Sequence, residues 1–203
     1  MLEVFKPKPG TGTVDKSKPF GVYNMIPCEH DSPALLPKQA ALFHHKNVVF
    51  MITRSKNDNT VVYSAKIHDH KLDEAEPIDV YWMGFSRKDP NETDEAKLRS
   101  DLSWLEKKMA YGATGHRLDA HLIHSAQSDF EVHLVAVPHL KPRLKLDEAT
   151  PRLRGLIGGR MCQYLRVYVL AHENMFGLPK VAWVNIHGID LETGEEIVEK
   201  ITP

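Results

Sequence analysis

The sequence predicts a mainly β domain of the α+β class, an antiparallel β-sandwich or barrel with one long amphipathic helix packed against it. Three observations lead there. Short runs rich in β-branched and aromatic residues recur, among them Val48–Arg54, Thr60–Ile67, Ile78–Phe85 and Met161–Ala171. Turn-forming clusters such as Lys56-Asn57-Asp58-Asn59 and Asp190-Leu191-Glu192-Thr193-Gly194 stand between such runs. One stretch, Asp94–Tyr111, has helical periodicity: Leu98, Leu102, Leu105 and Met109 recur at spacings of four, three and four.

The elements follow in chain order. Residues 1–37 hold six prolines, at 7, 9, 19, 27, 33 and 37, and read as a proline-rich arm, because proline removes a ladder donor and fixes φ. Phe20, Val22, Tyr23, Met25 and Ile26 are expected to tie its second half down. Residues 38–203 read as a single β-rich globular domain. Gln39–His45 suits a short helix or the approach to the first strand. Val48–Arg54 and Thr60–Ile67 form a hairpin around the Asn/Asp turn. Pro77 opens a third strand with Ile78, Val80 and Trp82 on one face and Tyr81, Met83 and Phe85 on the other, a pattern that requires cover on both sides. The helix is capped by Thr93 or Asp94 and ended by Gly112, with Lys107 and Lys108 at the negative end of its dipole. Arg117–His124 and Phe130–Val137 flank the loop 125–129, and Pro138 ends the second of them. Met161–Ala171 is a long apolar strand, and Val181–Ile189 pairs with Glu195–Ile201 in a terminal hairpin.

Composition narrows the function classes. The chain has 203 residues, 42% of them hydrophobic and 26% charged, with a formal net charge of −1, so there is no global steering of a polyanion. Cys28 and Cys162 are too few and too far apart for a disulfide framework or a zinc site. The N-terminus lacks the apolar core of a secretory signal, and its first arginine is Arg54, unlike an Arg-rich presequence. No apolar run approaches the length of a membrane span. A cytoplasmic protein without cofactor, metal or membrane partner is expected.

The residues most suggestive of chemistry surround the first hairpin. Arg54 ends a strand on the side of Val48, Phe50 and Ile52, where a guanidinium can grip a carboxylate or phosphate through two parallel hydrogen bonds. Ser55, Asn57 and Asn59 would add neutral donors. The competing reading pairs Arg54 with an acid such as Asp79, Glu106 or Asp119 and leaves the asparagines to satisfy turn backbone. Histidine is frequent, with 12 residues, but His68-x-His70 beside Asp69 and Asp73, and His121 with His124, match no metal signature. His133 and His187 sit on strands and suit a general base, with no nucleophile visible for either. The segment Lys141–Arg166 sets seven cations against Asp147 and Glu148, and Gly155, Gly158 and Gly159 interrupt it. RGLIGGR fits no P-loop or dinucleotide pattern, but Arg160, Tyr164, Arg166 and Tyr168 alternate onto one face of a strand, the mixture that holds single-stranded nucleic acid.

Three segments, RSKNDNTVVYSA, PIDVYWMGF and LSWLEKKMAYG, resemble an uncharacterised family known as a domain of unknown function. Its pattern is Arg-Ser-x-Asn-x-Asn-x-Val-Val-Tyr, then Pro-x-x-Val-Tyr-Trp, then a helix ending in Ala-Tyr-Gly. The matching positions are Arg54, Ser55, Asn57, Asn59, Val61, Val62, Tyr63, Pro77, Val80, Tyr81, Trp82, Ala110, Tyr111 and Gly112. The resemblance covers residues 45–112 well and implies a common fold but no activity.

The function these residues favour is a non-enzymatic module that binds a small polar or anionic ligand, or a peptide. Its cleft would be lined by Arg54, Asn57, Asn59, Tyr63, Trp82 and Tyr111. The alternative is a hydrolase, with or without a metal, built on strand histidines. The third reading is nucleic-acid binding through residues 141–166, with Arg160 and Arg166 as contacts.

Overall fold

The computed structural model describes residues 32–86, 95–118, 129–173 and 179–202. The anchoring residues expected in the arm lie outside this set. Pro37 opens a short helix, α1 (Pro37–Ala40), which continues as a 3-10 turn over Ala41–His44. Leu36 donates its N–H to Gln39 Oε1 (3.0 Å), closing the N-terminus. Gln39 is buried and donates to Thr60 Oγ1 (3.1 Å), so the turn is pinned to the sheet by a satisfied polar contact.

Strands β1 (Val48–Arg54) and β2 (Asn57–Ala65) form the expected hairpin, but its turn is Ser55–Lys56, with Arg54 opposite Asn57. The asparagines fall in the strand, with Asn57 Oδ1 also accepting from Arg54 Nε across the hairpin (3.3 Å). Asn57 Oδ1 accepts from Asn59 N–H (3.1 Å), and Ser86 Oγ accepts from Asp58 N–H (2.9 Å). A small ribbon follows, β3 (Ile67–His68) and β4 (Lys71–Leu72), turned by Asp69 and His70 at φ 50° and 61°. Strand β5 (Ile78–Met83) pairs with β2 and is covered on both faces, as its doubly apolar pattern requires.

The long helix expected over Asp94–Tyr111 does not form; its expected cap, Thr93 or Asp94, lies outside the described residues. In its place stand a single turn α2 (Glu95–Leu98), strand β6 (Arg99–Asp101), a turn α3 (Trp104–Glu106) and a π-helical turn (Lys107–Tyr111). Local chemistry interrupts the periodicity. Arg99–Asp101 pairs with β5, and Ser103 restarts the helix with a capping box: Glu106 N–H donates to Ser103 Oγ (3.3 Å) and Ser103 N–H to Glu106 Oε2 (2.8 Å). The leucine stripe is consequently split. Leu98 and Leu102 are buried, whereas Leu105 and Met109 are 60% and 69% exposed. Gly112 ends the turn in extended backbone, φ −60°, rather than the left-handed form. Glycine is required there because a Cβ would lie 2.0 Å from the Lys107 carbonyl oxygen.

The remaining strands are β7 (Ala113–Arg117), β8 (Phe130–Leu134), β9 (Arg143–Asp147), β10 (Thr150–Ile157), β11 (Arg160–Glu173), β12 (Pro179–Asp190) and β13 (Glu196–Ile201). Of the expected strand Arg117–His124, residues beyond 118 lie outside the described set. One 11-stranded sheet runs β6-β5-β2-β1-β11-β10-β9-β8-β7, with β12 and β13 continuing from β11. It is mixed rather than purely antiparallel, because β1 pairs parallel with β11. The 14-residue length of β11 explains this. Its first part pairs with β10, its middle with β1, and its other edge with β12 throughout. No pairing among the described strands closes a barrel. The two wings that diverge from β11 share one core. Phe50, Ile52 and Tyr63 enter it from one wing, and Phe130, Leu144 and Leu153 from the other, all essentially inaccessible. A second cluster, with Leu42, Met51, Tyr81 and Leu98, fills the far face of β1, β2 and β5. No helix among the described residues is long and apolar enough to cross a membrane.

Candidate functional site

Strand β1 delivers Arg54 to the edge of the core, where β5 and the Lys107–Tyr111 turn meet it. Its guanidinium lies 4.5 Å from the centroid of the Trp82 ring. Arg54 Nε donates to Asn57 Oδ1 (3.3 Å) and Nη1 to Tyr111 Oη (3.4 Å). Tyr111 meets Trp82 edge-on, with centroids 5.1 Å apart. Trp82 Nε1 in turn donates to Glu106 Oε1 (3.1 Å). Bonds from Ser103 are the main reason the Glu106 carboxyl sits below its usual range, with smaller help from Trp82 and the Arg54 charge. No ion pair joins Arg54 to a carboxylate among the described residues. Of the acids proposed as partners, Asp79 pairs with Arg99 (2.7 Å), Glu106 bonds Ser103 and Trp82, and Asp119 lies outside the described set.

The arrangement thus brings Arg54, Asn57, Trp82 and Tyr111 together. Tyr63 belongs to their support. It is fully buried, and its hydroxyl donates to the Tyr111 carbonyl oxygen (2.7 Å). Burial also raises its pKa well beyond the ordinary tyrosine range. Asn59 is turned elsewhere, its Oδ1 accepting from Ser86 N–H (2.8 Å). The inner face of the Ser103–Gly112 turn is clamped by this group. Its outer face carries Trp104, Leu105 and Met109, which are 71%, 60% and 69% exposed, with Lys108 Nζ 4.9 Å from the Trp104 centroid. The helical spacing placed Leu105 and Met109 on one stripe with Leu98 and Leu102; the Ser103-x-x-Glu106 box was the signal that the helix restarts there.

The basic segment is a meander of β9, β10 and the start of β11, not a phosphate-cradling loop. Gly158 and Gly159, at φ 57° and 79°, make the β10–β11 turn. The face expected to carry Arg160, Tyr164, Arg166 and Tyr168 together is broken, because a register shift between Tyr164 and Arg166 reverses the alternation. Tyr164 points into the core, whereas Arg166 and Tyr168 lie on the other side. Arg160 pairs with Asp190 (3.0 Å), and Arg166 donates to the Pro33 carbonyl oxygen (2.9 Å).

Histidines gather no metal site among the described residues. His68 faces Asp73 (3.4 Å), His133 faces Glu131 (3.1 Å), and His121 and His124 lie outside the described set. His187 is different. It is 2% exposed, with Nδ1 2.8 Å from Glu196 Oε1 and Nε2 3.1 Å from Ser32 Oγ. Ser32 was invisible as its partner because 155 residues separate them and nothing local marks it.

No curated protein and no solved structure matches this chain. A family match does cover residues 50–200, taking in Arg54, Trp82, Tyr111, His187 and Glu196 but not Ser32. The chain therefore belongs to the family described as domain of unknown function DUF4833.

Proposed function

We propose that the domain carries a recognition surface and that it binds a peptide segment of a partner protein on the Ser103–Gly112 turn. The carrying observation is three large apolar side chains, Trp104, Leu105 and Met109, held exposed on one turn whose inner face is clamped by Arg54, Trp82 and Tyr111. Exposed apolar surface of this kind marks interaction sites, and Trp, Met, Tyr and Arg are the residue types enriched at them. A rigid support lowers the ordering cost of association. Arg54 and Lys108 supply positive charge beside the apolar surface, which favours an apolar peptide that also carries a carboxylate. The support lies wholly within the family match, so the reading applies to the domain and not to one chain's extension.

Peptides selected from a random display library against the full chain test this. Binding is then measured by calorimetry against wild type and Trp104→Ala, a change at an exposed position that leaves the fold intact. The expected result is a loss of affinity of about tenfold or more, as for a central aromatic anchor. Selected peptides that bind Trp104→Ala and Met109→Ala as tightly as wild type would remove the reading.

A further inference from the structure

On the face of β11, β12 and β13 turned away from the core lies a polar cluster that the recognition turn does not use. Ile186 and Val184 of β12 point inward, so Asn185 and His187 point outward, beside Arg166 of β11 and Glu196 of β13. Residues 32–33 lie against this face, held by Arg166 on the Pro33 carbonyl. We propose that Ser32, His187 and Glu196 form an acyl-transfer triad that hydrolyses a carboxylic ester, with Asn185 as a donor beside the nucleophile.

The triad assigns the protons. Glu196 lies 2.8 Å from His187 Nδ1, which suits the tautomer the triad needs: the proton on Nδ1 and a lone pair on Nε2. That lone pair accepts the Ser32 hydroxyl at 3.1 Å, the separation of an activated nucleophile and its base. With its proton committed to His187, Ser32 Oγ can only accept from Asn185, so Asn185 Nδ2 faces it, at 2.8 Å. The orientation leaves Asn185 Oδ1 buried and without a partner. An orphaned buried acceptor costs about 1–3 kcal/mol. A cluster that only fastened residues 32–33 to the sheet has no need of that penalty, whereas a site that receives a second molecule does. Ser32 is only half-buried, so the nucleophile is the member that meets substrate, and the base behind it is shielded from water.

In the reaction, Ser32 Oγ bonds to the ester carbonyl carbon as its proton passes to His187 Nε2. The carbonyl π pair moves onto oxygen, where Asn185 Nδ2–H can stabilise the charge. Collapse breaks the carbon–alkoxide bond, and the alcohol leaves with the proton from His187. Water then attacks the acyl-serine. His187 takes the water's proton and returns it to Ser32 Oγ, releasing the carboxylic acid. Glu196 keeps the imidazole in the correct tautomer and stays ionised throughout.

The full chain treated with a fluorophosphonate probe, followed by intact mass and peptide mapping, tests the proposal. One adduct on Ser32 is expected, absent in Ser32→Ala. His187→Gln should slow labelling at least about a hundredfold, the usual scale of a general base. Should Ser32→Ala fail to fold, Glu196→Gln keeps the side-chain shape and is expected to slow labelling at Ser32. No Ser32 adduct under conditions that fully label a known serine hydrolase overturns the proposal. So does a Ser32 adduct whose rate is unchanged in folded His187→Gln and Glu196→Gln. Both outcomes leave the recognition turn untouched, since that reading is tested by peptide binding at Trp104 and Met109.

Discussion

Replacing Arg54 with methionine separates a clamped guanidinium from one that only waits for a ligand. The substitution keeps most of the apolar stem and removes the charge. It loses the stack on Trp82 at 4.5 Å, worth about 0.5–1 kcal/mol at a partly exposed site. Two long hydrogen bonds also go, to Asn57 (3.3 Å) and Tyr111 (3.4 Å), each worth about 0.5 kcal/mol at the weak end of the usual range. No orphan penalty is added, because Asn57 Oδ1 keeps Asn59 N–H (3.1 Å) and the Tyr111 hydroxyl sits in a half-buried residue that water can reach. The sum is about 2 kcal/mol, or a fall in melting temperature of about 4–8 °C for a domain of this size. Arg54→Lys should restore only part, because an ammonium cannot reproduce the planar stack. A double-mutant cycle with Trp82→Phe should return a coupling of about 0.5–1 kcal/mol. Urea denaturation at neutral pH measures wild type and all four variants. A change below about 0.5 kcal/mol for Arg54→Met, the range of ordinary surface substitutions, refutes the clamp.

Gly112→Ala should destabilise by about 2–3 kcal/mol, because its Cβ would meet the Lys107 carbonyl oxygen at 2.0 Å; an unchanged urea midpoint contradicts this. Glu106 has a folded pKa below its unfolded value, so its contribution is complete above the ordinary carboxylate pKa and disappears as pH falls through the lowered one. The melting-temperature gap between wild type and Glu106→Gln should therefore close as the solution is taken from neutral to strongly acidic pH, and a constant gap argues against the assignment. Burial pushes the Cys162 thiol up to about 11, so in a Cys28→Ser background a disulfide reagent at pH 8 should react only as fast as the domain unfolds. Rapid stoichiometric reaction of the folded protein would show that the thiol is open.

Strand character was legible in the densely apolar runs but not in β9 and β10, whose buried positions alternate with the cations of the basic segment. Ile78–Met83 is apolar on both faces and lies between two hydrophobic clusters, and the hairpin of β12 and β13 follows its turn residues. At the candidate site only the Arg54–Asn57 pair is local; Trp82 and Tyr111 reach Arg54 from 28 and 57 positions away through the pairing of β2 with β5 and the turn before β7. The helix failed because periodicity reports which residues could share a stripe, not whether the backbone between them has a better partner. Arg99–Asp101 found one in β5, and Ser103 found one in Glu106.

By itself, then, the amino-acid order determined the local matters: the most apolar strand-forming runs, and turn positions to within a residue or two. Only the tertiary structure decided that β1 runs parallel to β11, and that a register shift turns Arg166 away from Tyr164. It also decided that Trp104, Leu105 and Met109 face out, and that Ser32 lies 3.1 Å from His187. The reason is range. Propensity, capping and alternation act between residues a few positions apart, whereas these features depend on which distant strands meet, and that is settled by the burial of the whole core at once.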